Sequence, residues 1–126
     1  MIEEIKKYRT DIDRSYIFET KDEAEKFERT FKPFYDLNRE AEDERVRCGD
    51  DRMEKAQDLF DRAKPLLAAY VNENRMFDDN TKKELCGIAF CRTDIARVIG
   101  IFFHEDKKDC IIGRLFDTIF AIIVGW

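Results

Sequence analysis

Apolar positions along the chain recur at helical rather than alternating spacing. Ala24, Phe27, Phe31, Phe34 and Leu37 return every three or four residues after a Thr20/Glu23 capping-box pair, which predicts a helix over about 21 to 46. Pro33 falls inside it and removes a backbone donor, so the helix is expected to kink or divide there, and Gly49 supplies a stop. Asp51 with Glu54 repeats the start signal. Met53, Ala56, Leu59, Phe60, Ala63, Leu66, Leu67 and Tyr70 then form one apolar stripe with charges opposite, and Pro65 is expected to bend it. Thr81 with Glu84 opens a third segment, in which polar or small residues return at Lys83, Gly87, Asp94, Arg97, Gly100 and His104 within a largely apolar stretch. That pattern predicts one long, largely enclosed helix.

After a polar turn from His104 to Asp109, the chain is dominated by Ile111, Ile112, Leu115, Phe116, Ile119, Phe120, Ile122 and Ile123. The spacing is helical, while the richness in Ile, Phe and Val also suits strands. Ile2, Ile5 and Tyr8 suggest a short opening helix, and Ser15 to Glu19 a connector that could be extended. The expected fold is therefore all-α: one domain over residues 1–126, a bundle of about five helices with a hydrophobic C-terminal helical hairpin. The alternative is an α+β domain with an antiparallel meander over about 96 to 126.

Composition narrows the functional classes. The chain has 126 residues, 44% hydrophobic and 40% charged, with a net charge of −5. It is too apolar for a disordered chain and too charged for a membrane protein. Residues 1–84 carry 18 basic and 23 acidic residues, against five of each in 85–126, which marks the second part as the core. Acids and bases alternate throughout, so nothing concentrates a positive field on a nucleic-acid backbone, and a nucleic-acid partner is disfavoured. The first residues lack the apolar stretch of a secretory signal, and the C-terminal hairpin is interrupted by Arg114 and Asp117. A cytoplasmic, reducing location with no membrane span is expected. Cys48, Cys86, Cys91 and Cys110 then read as reduced, buried thiols. On a continuous helix Cys86 and Cys91 stand about 140 degrees apart, so they chelate one ion poorly. No metal and no cofactor are implied.

Six residues intervene between Arg97 and His104, which puts both on one face of a helix. This spacing resembles the Arg-x(4 to 6)-His motif of the HEPN ribonucleases, small helical bundles that pair as dimers. The resemblance implies a catalytic pair in which Arg97 holds phosphate and His104 handles protons. Val98 departs from that motif, where a polar residue usually follows the Arg. Gly113 and Arg114, preceded by Phe103 and an acidic turn, are similar to the Gly-Arg region opening the central helix of Bcl-2-like helical groove binders. Ile112 stands here where that family usually has an aromatic residue.

Neither motif outweighs the chemical quietness of the remainder, which holds no phosphate loop, nucleophile elbow or metalloprotease helix. The leading expectation is a non-enzymatic protein-interaction module with a protein partner, of the kind small phage or viral inhibitors and regulators exemplify. Its candidate contact residues are the aromatics and methionine at helix bends and ends, Phe31, Phe34, Tyr35, Met76, Phe77 and Trp126. A homodimer is also expected, because the apolar final third is hard to cover within so small a domain.

Overall fold

The Thr20 hydroxyl oxygen accepts the Glu23 amide at 3.2 Å, and the helix it caps, α1, runs over Lys21–Arg47. The computed structural model describes residues 7–47, 49–74, 76–103 and 110–125. Its further helices are α2 (Arg52–Glu73), α3 (Asp79–Cys86), α4 (Arg92–Phe103) and α5 (Ile111–Val124). The described residues of the final third are helical over Arg92–Phe103 and Ile111–Val124, as the spacing of their apolar residues predicts, with no strand among them.

Several boundaries differ from expectation, each for a local reason. Pro33 does not divide α1, and Pro65 does not divide α2. A proline forfeits one hydrogen bond, and here the lost bond is outweighed by packing on both sides, where Phe31, Phe34 and Leu37 seat against the core. Asp51 occupies the α2 N-cap position without a side-chain capping bond. The cap of α3 is Asp78, whose carboxylate accepts the Thr81 amide at 2.7 Å, so this helix starts earlier than Thr81.

The single helix expected from Thr81 to His104 is two helices. Gly87 ends α3. Asp94 then reaches back to accept the Ala89 amide at 3.0 Å while its own amide points to Cys91 Sγ at 3.4 Å. Cys91 thus caps α4 with its sulfur, while the Asp94 carboxylate ties down the preceding turn at Ala89. Cys86 and Cys91 therefore lie on different elements, and the helical-angle argument against a shared ion no longer applies to them. Among the described residues, no group of three His, Cys, Asp or Glu converges in a way that could hold a metal ion.

At the N-terminus, Tyr8 is not helical. It pairs with Phe18 in an isolated antiparallel bridge, with N···O distances of 2.9 and 2.8 Å. Ile2 and Ile5 lie outside the described residues. Phe18 and Tyr16 each pack on Phe27, their ring centroids 5.1 and 5.2 Å away, which ties the arm to α1.

The centre of the bundle is α5, which packs against α1, α4 and α2. Ile112, Leu115, Phe116, Ile119 and Ile122 have no exposed surface. These side chains are covered by α1, α2 and α4 of the same chain. Gly113 sits where α4 crosses α5; a β-carbon there would lie 3.4 Å from both Phe102 and Phe103. Buried Asn38 on α1 links to α5, its Oδ1 accepting from the Thr118 hydroxyl at 3.2 Å. Met53, assigned to the apolar stripe of α2, is exposed, because it lies in the first turn beyond the reach of α1. The cysteines also depart from expectation: Cys86 and Cys110 are half-buried and Cys91 is exposed, all three as free thiols, while Cys48 lies outside the described residues. Among the described residues, no helix is long and apolar enough to cross a membrane.

Candidate partner-binding seam

The residues singled out in sequence separate into core, surface and undescribed positions. Phe34 and Phe77 are 1% and 6% exposed. They belong to the core: their rings turn inward onto Tyr70 at 6.4 Å in both cases. Phe31 and Tyr35 are half-buried, and Met76 is 56% exposed. Trp126 and His104 lie outside the described residues.

Arg97 is on the surface of α4, but its guanidinium is engaged. It bonds the Glu84 carboxylate of α3 and, at 3.2 Å, that of Asp94. The Glu84 hydrogen bond raises the Arg97 pKa. Asp94 is held below the usual carboxylate range, chiefly by the Ala89 amide and then by Cys91. This arrangement locks α3 to α4, and the positive charge is spent on two carboxylates. Arg114 is exposed beside the buried Gly113.

An arrangement not singled out in sequence lies along one side of the α1–α2 pair. The two helices are antiparallel, as the contacts Phe31 to Tyr70, Glu40 to Arg62 and Glu44 to Lys55 require. Three depressions follow one another along their seam. At one end, Phe27, Phe31 and Tyr70 floor a groove of about 700 Å³, with Glu23, Lys26 and Glu73 at its edge. The ring centroids are 5.0 Å apart from Phe27 to Phe31 and 5.5 Å from Phe31 to Tyr70. Exposed Tyr16 continues the series on one side, and Met76 lies on the other, its amide bound to Asn74 Oδ1 at 3.0 Å.

In the middle, Pro33 faces Pro65 across a notch of about 290 Å³ that Leu37 and Leu66 also line. The two prolines leave the carbonyls of Arg29 and Asp61 without their helical donors. Below the notch, Arg62 clamps Glu40 with two bonds of 2.7 and 2.8 Å, and these hydrogen bonds hold the Glu40 carboxyl below its usual range. At the far end, Glu44, Asp51, Glu54, Asp58 and Lys55 surround a third depression of about 440 Å³.

One sequence signal does point to the seam: Pro33 and Pro65 are each sixteen residues from Gly49, so a hairpin folded at that glycine brings them face to face. Reading it requires knowing that the two helices pair. Comparison with protein-family models, characterised proteins and solved structures finds no match.

Proposed function

We propose that this protein is a non-enzymatic protein-interaction module that engages its partner through the α1–α2 seam. The observation that carries this reading is the row of rings Phe27, Phe31 and Tyr70, left half-exposed on the floor of a groove. Aromatic surface in a concave, water-accessible place costs free energy to leave wet, and partner side chains recover it. The pairing of Arg97 with Glu84 and Asp94 supports the same reading, since it leaves that guanidinium little freedom to bind a phosphate. An inhibitor or regulator that works by covering a surface of another protein fits this arrangement.

The test is comparative capture from cells with the wild-type chain and a Thr30→Arg variant. Thr30 lines the groove on the exposed side of α1, so a long charged side chain there blocks the floor without disturbing the core. The expected outcome is a stoichiometric protein recovered by the wild type and lost by the variant, with both chains equally helical by circular dichroism. No recovered protein, or one retained equally by both chains, would overturn the reading.

A further inference from the structure

The partner's chemistry can be read from how charge is distributed along the seam, an inference that rests on the seam being the binding surface. At the aromatic end, the carboxylates of Glu23 and Glu73 are offset by Lys26. In the middle, Glu40 pairs with Arg62 and Asp36 with Lys32. At the far end, Glu44, Asp51, Glu54 and Asp58 face Lys55. Counting Lys32 with its partner Asp36, eight carboxylates stand against four cations, an excess of four negative charges along the seam.

The excess is unevenly placed. The far end carries the largest excess, and two of its carboxylates, Asp51 and Glu54, have no ion pair among the described residues. The aromatic end is close to balance and supplies the apolar floor. From Phe27 to Glu44 along α1 is about 25 Å at the helical rise of 1.5 Å per residue. A ligand satisfying both ends needs an apolar anchor at one point and cationic side chains about 25 Å away. Small molecules do not have that reach, and a polyanion such as RNA is repelled by the excess of carboxylates.

We infer that the seam binds a basic segment of another protein, with an aromatic or aliphatic anchor seated on Phe27, Phe31 and Tyr70 and lysine or arginine side chains lying over Asp51, Glu54 and Asp58. The anchor supplies most of the affinity by desolvating the rings. The cations supply orientation and rapid encounter, an effect that weakens with salt.

Three synthetic helical peptides test this, each carrying the same Phe/Leu anchor about 25 Å from a second cluster of Lys, of Gln or of Glu, titrated against the full chain by fluorescence anisotropy. The Lys peptide is expected to bind about tenfold more tightly than the Gln peptide at low salt, an advantage that disappears near ~0.5 M salt, with the Glu peptide weakest. A Glu54→Lys/Asp58→Lys double variant, altered only at exposed positions, is expected to reverse the order of Lys and Glu peptides. Equal binding of the three peptides would overturn the charge inference while leaving the groove as a binding surface. If none of them binds while Thr30→Arg still loses its cellular protein, the basic-segment inference falls and the interaction reading stands.

Discussion

The Tyr35 phenol on α1 donates to the Asp13 carboxylate of the N-terminal segment, with 2.5 Å between Oη and Oδ2. Asp13 also accepts from the Ser15 amide at 3.0 Å and from the Ser15 hydroxyl. Burial pulls the Asp13 pKa upward, yet the bonds from Ser15 and Tyr35 outweigh it and hold the carboxyl below its usual range. For Tyr35, burial and the bond to Asp13 act together and push the phenol well above its ordinary value. One contact thus fastens the segment preceding α1 to the outer surface of that helix.

Replacing Tyr35 by Phe is expected to destabilise the fold by about 1 kcal/mol at neutral pH, the net worth of one such hydrogen bond. Because the folded Asp13 pKa is depressed, its contribution is complete above the ordinary carboxylate pKa near ~4 and is lost as pH falls through the folded value. Because the folded Tyr35 pKa is raised, its contribution is complete below ~10 and is lost as pH rises past that point. Urea denaturation of wild type and variant across pH should therefore show a plateau in the difference between about pH 5 and 9, narrowing on both sides. A difference that stays constant down to about pH 3 would contradict the assignment.

Pro33→Ala restores an amide donor to the Arg29 carbonyl within an otherwise continuous helix. It is expected to raise stability by about 1 to 3 kcal/mol, read as an increase in denaturation midpoint, since proline is about 3 kcal/mol worse than alanine in a helix interior. No increase would mean that α1 is shaped around the proline.

Gly125 closes α5 with a φ of +80°, its amide bonding the carbonyls of Ala121 and Ile122 at 3.0 and 3.2 Å. The Arg52 guanidinium rests against it where a β-carbon would project. Gly125→Ala is expected to cost about 1 kcal/mol for the left-handed backbone, plus a further amount for displacing Arg52. In an Arg52→Ala background the second part should vanish and the first remain. Thermal melts of the four chains in that cycle measure both.

Wild type, Arg97→Ala and His104→Ala are expected to leave a single-stranded RNA equally intact over hours at neutral pH. Cleavage by the wild type that is lost in both variants would establish the ribonuclease reading that the Arg-x6-His spacing implies.

The helical class was legible because the apolar residues of α1, α2 and α5 keep a period near 3.6 over long stretches, a signal that a proline does not erase. The break between α3 and α4 was hidden because its capping residue is a cysteine, which carries no start signal by composition. Tyr8 misled because one aromatic satisfies a helical spacing and a β-bridge equally well. Phe34 and Phe77 are indistinguishable from Phe31 by type, and only tertiary packing, of α1 on α2 for Phe34 and of the α2–α3 connection on Tyr70 and Phe102 for Phe77, decides which rings face inward. The seam was invisible for the same reason: its eight carboxylates are scattered over some fifty residues of sequence and become one line only when the hairpin closes.

The placement of α5 sets the order in which the chain can be made and folded. Synthesis delivers α1, α2, α3 and α4 before the rod they lean on, and the bond between Asn38 and Thr118 joins positions 80 residues apart. Until Ile111 and its successors emerge from the ribosome, the faces of α1, α2 and α4 that pack on α5 lack their partner. A nascent chain stalled before that point exposes the apolar surface that α5 later covers.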